Sequence, residues 1–182
     1  MISPEVIVIP KDVWVNYIKE AIKTSQKLSV EESYFYSTHK LISELGEVLG
    51  EIVKLKFHKG LEGDTDRLES EIGDCFWYLA NIMYQHDVRI NLKSRINSVQ
   101  PVQLLVGMIE RTIELSLVSS RFGMQYEKKH LLQLVFERLV SVCEKYDLDV
   151  ERVLAKNVEK VRARHGESYN EKGFYDRKEK ES

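Results

Sequence analysis

Apolar residues recur along most of this chain with the spacing of a helix. Leu41, Leu45, Leu49 and Ile52 share one arc, and Leu68, Ile72, Cys75, Phe76 and Leu79 share another further on. Period-two alternation is nearly absent, so the pattern predicts an all-α protein, a multi-helix bundle. Caps and breakers set the limits of its elements. Asp12 is read as the cap of a first helix reaching about Ser25, and a second helix covers about Glu31 to His58, with an interruption allowed at Ser33 to Ser37. The glycine-bearing stretch from His58 to Asp66 is a loop feeding a third helix that ends near His86. Further helices are expected near Val99 to Ser120, Glu127 to Tyr146 and Asp149 to Arg164. Residues 1–170 read as a single domain and residues 171–182 as a charged tail.

A weak internal repeat underlies this layout, with candidate units at residues 31–90 and 99–150. Sliding the first hairpin lays Glu47, Glu51 and Gly60 over Glu110, Glu114 and Gly123, and His86-Asp87-Val88 over Tyr146-Asp147-Leu148. In the second unit Gly107 stands at the place of Glu44, while Leu131 and Leu134 stand at those of Glu71 and Asp74. The repeat is therefore degenerate, and only the first hairpin keeps a full set of acids.

Polar positions beside the apolar arcs carry the chemistry. Glu44-Leu45-Gly46-Glu47 and Glu71-Ile72-Gly73-Asp74 each place two carboxylates three residues apart, on one face of a helix. At 100° per residue, Glu47 and Glu51 fall within about 60° of Glu44, bordering the apolar arc. On the next helix Glu71, Asp74, Tyr78 and Asn81 form one stripe within about 80°. Packed as a hairpin, the two helices would surround one small space with at least four carboxylates, and crowded like charges call for a cation. Solvated faces of ordinary amphipathic helices are the plain alternative.

Ligation by carboxylates alone selects hard cations, Mg²⁺ with Mn²⁺ as a substitute, over zinc, since no histidine lies on the stripe. Such a pocket suits a nucleoside polyphosphate, and a spare carboxylate could orient or deprotonate an attacking water. Glu47, between Glu44 and Glu51, is the leading candidate for that base, although ligand and base roles could exchange.

Composition narrows the field further. The chain of 182 residues is 43% hydrophobic with a net charge of −2, enough for a substantial core and without the broad positive field of a bulk nucleic-acid binder. Cys75 and Cys143 sit inside apolar helical runs and are expected as buried thiols. The first ten residues have the marks of neither a signal peptide nor a membrane span, so a soluble, cytoplasmic protein is expected. There is no phosphate-binding G-x-x-x-x-G-K-S/T loop and no G-x-S-x-G elbow. Phe76 and Trp77 are assigned to the core, whereas Tyr34, Phe35 and Tyr36 form an aromatic cluster near the expected pocket. His39 and His58 have no partner legible in the sequence and are assigned surface or capping roles.

The run from Ser43 to Lys56, followed by Glu71-Ile72-Gly73-Asp74-Cys75-Phe76-Trp77-Tyr78-Leu79-Ala80, resembles the MazG-like all-α nucleoside triphosphate pyrophosphohydrolases. This superfamily also holds the dimeric dUTPases and dCTP pyrophosphatases, and its signature is E-x-x-E, a spacer, then E-x-x-D. The segment from Val153 to His165 is similar to the family's C-terminal N-x-x-K-L-x-x-R-Y stretch. The resemblance implies a bundle with a four-helix core that hydrolyses a nucleoside triphosphate to the monophosphate and pyrophosphate with Mg²⁺. By position, it implies metal ligation by Glu44, Glu47, Glu71 and Asp74, with Glu44, Glu47 and Glu71 as the catalytic set and Glu51 as an extension. It implies substrate contacts from Lys54, Tyr78, Asn81, Asn157, Lys160 and Arg164, and family habit implies a homodimer. This chain departs from many relatives in having Ser43 where they have a further glutamate, and in a longer stretch from Asn91 to Lys129. Those departures, with Leu131 and Leu134, leave a catalytically inactive nucleotide-binding or protein-interaction module as the alternative.

Overall fold

A computed structural model describes residues 6–25, 27–57, 65–95, 100–118 and 125–166. Its elements are β1 (Val6–Val8), α1 (Lys11–Lys23), α2 (Val30–Phe57), α3 (Thr65–Gln85), β2 (Lys93–Arg95), α4 (Pro101–Val118), α5 (Gln125–Lys145) and α6 (Val150–His165). The all-α expectation holds for the bulk of the chain. The helix limits fall close to those predicted.

Three details differ from the sequence reading. The first helix begins at Lys11 with Pro10 at its N-cap, and Asp12 lies within the first turn without a capping hydrogen bond. Proline's fixed φ suits entry into a helix, and Asp12 acts there through the helix dipole alone. The second helix runs unbroken through Ser33 to Ser37. Burial decides this: Tyr34, Ser37 and Thr38 face inward, and the Thr38 hydroxyl donates back to the Tyr34 carbonyl at 2.8 Å, which satisfies it without leaving the helix. The short β1 and β2 were not foreseen. They pair antiparallel, Val6 with Arg95 and Val8 with Lys93, and are too brief for alternation to stand out.

The centre of the bundle is the antiparallel pair α2 and α3. Its register is fixed at one end by Gln85, whose amide donates to the Ser33 hydroxyl, and further along by the Tyr36 ring lying edge-on to Tyr78 at 6.2 Å. Leu41, Leu45, Val48 and Ile52 of α2 and Leu68, Ile72, Phe76 and Leu79 of α3 form the core between them. The helices α4 and α5 extend this core along α2 and α3, while α1 and α6 pack on the remaining side of α3. Trp14 of α1 packs edge-on to both Phe76 and Phe136, which also meet edge-on. Cys75 and Cys143 are buried free thiols, as expected.

The two hairpins end alike. A shift of about 60 positions carries α3 onto α5, and both helices close with an aspartate in the left-handed region, Asp87 at φ 47° and Asp147 at φ 54°. In each case the following amide reaches back to close the helix, Val88 N–H to Met83 and Leu148 N–H to Cys143, both at 2.9 Å.

Candidate functional site

Glu44 and Glu47 stand one turn apart on α2, facing Glu71 on α3. One oxygen or more of each lies within 4.8 Å of the others. This convergence follows from register, because the antiparallel pairing that sets Tyr36 against Tyr78 brings position 44 level with the start of the second couplet. Glu44 is 6% exposed, Glu71 half-buried and Glu47 exposed, so the cluster opens to solvent on the Glu47 side.

Its electrostatics are those of crowded acids at the edge of an apolar core. Burial raises the pKa of Glu44, and Asp74 and Glu47 add to the effect, while Lys40 opposes it with its ammonium 3.0 Å away. Burial also raises Glu71, reinforced by Asp74 and Glu47 and opposed by Lys160. Lys40 is pulled down by its own partial burial, but Glu44 outweighs that and its pKa ends raised. The shared pair thus favours charge on Lys40 more than on Glu44, whose burial dominates. A bound cation would relieve the same strain.

Asp74 lies beside the triad and is held by other partners. Its Oδ1 accepts from Asn157 Nδ2 at 2.8 Å, and its Oδ2 lies 2.6 Å from the Lys160 ammonium. Lys160 also donates to the Ser70 carbonyl and hydroxyl. Asn157 is 3% exposed, and its Oδ1 accepts from the Tyr17 hydroxyl at 2.9 Å; the same hydroxyl contacts the Gly73 carbonyl at 3.1 Å. Helix α6 packs so closely here that a Cβ at Gly73 would lie 2.9 Å from Asn157 Cβ. The glycine of the second couplet is therefore a packing requirement.

The other predicted residues divide between the cluster and the frame. Tyr78 flanks the acids, with the Lys40 ammonium 5.8 Å above its ring, and burial pushes its hydroxyl pKa well up. Lys54 pairs with Glu51 at 2.6 Å, which engages both one turn beyond Glu47. Asn81 is 3% exposed; it accepts from the Ser25 hydroxyl and donates to the Trp77 carbonyl, so its amide ties α3 to the end of α1. Arg164 is half-buried near the end of α6 and has no ion pair among the described residues. Phe76 and Trp77 belong to the core, as assigned; Tyr34 joins them, whereas Phe35 is 64% exposed and stacks on His39. His58 lies outside the described residues.

The sequence reading missed Tyr17, Lys40 and Glu69. Lys40 was within reach, since it precedes Glu44 by one turn and such pairs meet on a helix surface. Tyr17 carried no local signal, because its partner is on the last helix. Glu69, 2% exposed, accepts from Arg152 at 2.8 Å and from Lys156 at 2.7 Å and fastens α6 to α3. In the second hairpin no such acid cluster is found among the described residues, and the Arg138 guanidinium fills the space that a Cβ at Gly107 would need.

No family model, no curated protein and no solved structure matches this chain.

Proposed function

We propose that this protein is a Mg²⁺-dependent nucleoside triphosphate pyrophosphohydrolase that releases the monophosphate and pyrophosphate. The observation that carries the reading is the meeting of Glu44, Glu47 and Glu71 oxygens within 4.8 Å across the α2–α3 pair. The donor set fits a hard cation. Glu44, Glu47 and Glu71 would hold it through their carboxylate oxygens, the ligand type that Mg²⁺ prefers. When bound, the cation supplies positive charge for the polyphosphate.

The remaining steps belong to the chain's own residues. Glu47, the most exposed of the three, is the carboxylate able to accept a proton from a water attacking the phosphate. Glu44, with Lys40 beside it, is the buried anchor. Asp74 serves as the link through which Asn157 and Lys160 hold α6 against the acidic face, and Lys160 would exchange part of that pairing for a substrate phosphate. The likeness of both couplets and of the Asn157, Lys160 and Arg164 spacing to the MazG-like pattern gives the reaction class; a homodimer and a cytoplasmic setting belong to the same reading.

Incubation with a panel of dNTPs and NTPs in Mg²⁺ or Mn²⁺, with products separated by anion exchange, tests it. Turnover to monophosphate and pyrophosphate is expected. Glu71→Gln should lower that turnover by at least about 100-fold with helical circular dichroism unchanged. No product from any nucleotide would sink the proposal.

One observation favours a second reading. Two of the motif acids are already compensated within the chain, Glu44 by Lys40 and Asp74 by Lys160. A module of that kind would bind a nucleotide without cleaving it, and calorimetry would then record saturable binding with the triphosphate recovered intact.

A further inference from the structure

A groove of about 830 Å³ lies between the outer face of α1 and the chain from Met83 to Lys93. None of the three clustered glutamates lines it. Its floor reaches the core, since Ile9, Trp14 and Met83 line it at 3% exposure each and Val88 at 7%. Its walls remain apolar up to the surface, where Val8 is 55% exposed, Val15 37% and Tyr84 59%. Exposed apolar groups converging on one concavity of this size are the usual makings of a small-molecule site, for which about 300–1,000 Å³ is typical.

The rim gives the ligand its charge. Lys11, Lys19, Arg89 and Lys93 all line the groove, against the single acid Asp87. Among the described residues none of these four cations has an ion pair or a side-chain hydrogen bond. Lys23, Lys40, Lys54 and Lys160, by contrast, each have a carboxylate partner. In a protein of net charge −2, four unpaired cations around an apolar slot amount to a local field for an anion.

We propose that this groove binds an amphipathic anion, a flexible apolar chain ending in a carboxylate or phosphate headgroup. The apolar chain enters between α1 and the Met83–Lys93 segment and covers Val15, Ile18 and Ile90, while the headgroup stays at the surface among the lysines. Lys11 and Lys19 stand about 12 Å apart along α1, two helical turns and a little more, so the rim offers the headgroup cations at two separate points. A floor of four buried side chains and a volume of about 830 Å³ suit a small amphiphile.

Decanoate and decyl phosphate, titrated below their micellar concentrations into the full chain, test the proposal. Binding is read by calorimetry and by the fluorescence of Trp14, which lines the groove. Saturable binding of either anion is expected, and the stronger of the two identifies the headgroup. Lys11→Glu combined with Lys19→Glu should weaken it by about tenfold, because two attractions become repulsions. Val15→Asp, at an exposed helix position, should weaken it comparably with helical circular dichroism retained. Equal binding of decyltrimethylammonium, an unchanged affinity in the rim variant, or binding of an acidic amphipathic peptide in place of both anions would overturn the assignment.

Discussion

At the scale of single residues, the glycines of the acidic run serve different ends, and substitution separates them. Nothing lies within 4 Å of a Cβ built on Gly46 or Gly50, whereas one on Gly73 would press on Asn157. Gly46→Ala should therefore raise stability by roughly 1 kcal/mol through helix propensity alone. Gly73→Ala gains the same propensity but pushes the buried Asn157 side chain away, at a net cost of about 1–2 kcal/mol. Urea melts of the two variants read the contrast directly, and equal shifts would mean that α6 does not press on Gly73. The acids themselves were legible as single residues in the sequence. Their environment was not: that Glu44 is nearly covered while Glu47 is open depends on how α2 is rotated against α3.

At the scale of elements, α6 is held by an apolar face, by an ion pair from Arg162 to Glu20 of α1, and by two polar clamps on α3. One clamp joins Tyr17, Asn157 and Asp74; the other joins Glu69 with Arg152 and Lys156. Val153, Leu154 and Val161 lie beneath them in the core. Asn157→Ala removes the partner of a buried hydroxyl and of the Asp74 carboxylate, and should cost about 2–3 kcal/mol. Tyr17→Phe keeps the ring packing and should cost about 1–2 kcal/mol. If Asn157 acts chiefly as a clamp, the double variant will cost less than the sum of the two, since either change breaks the shared bond. A strictly additive result would separate Tyr17 from Asn157. Helix existence and limits were readable here from periodicity, with Asp149 capping α6 by accepting from the Arg152 amide. The pairing of Asn157 with a carboxylate 83 positions away was not.

At the scale of the whole molecule, the acidic cluster makes stability depend on pH and on divalent ions in a defined direction. Glu44 and Glu71 have pKa values raised in the native state, so the native protein holds their protons more tightly than the unfolded chain. Their contribution is full below the ordinary glutamate range and is lost as pH rises through the raised native values. Glu20 runs the other way, because hydrogen bonds from Lys23 and Arg162 lower its pKa, and its contribution fades as pH falls. A difference between proteins isolates the cluster. In chelator, Glu71→Gln should melt at a higher temperature than the parent above the glutamate range, and the gap should close on acidification. Added Mg²⁺ should raise the melting temperature of the parent and leave that of the variant nearly unchanged. A parent indifferent to both pH and Mg²⁺ would show that the three carboxylates hold no cation.

The sequence by itself determined the helical character, nearly all helix limits, the apolar faces and the two acidic couplets, because these depend on residues three to seven positions apart. Tertiary structure decided which acids meet. It brought Glu44, Glu47 and Glu71 together and gave Asp74 to Asn157 and Lys160; it placed Asn81 in the frame and opened a cation-rimmed groove beside α1. The reason is geometric. Periodicity fixes the face on which a side chain lies, but the rotation and register of one helix against another are set by the packing of all their apolar side chains at once.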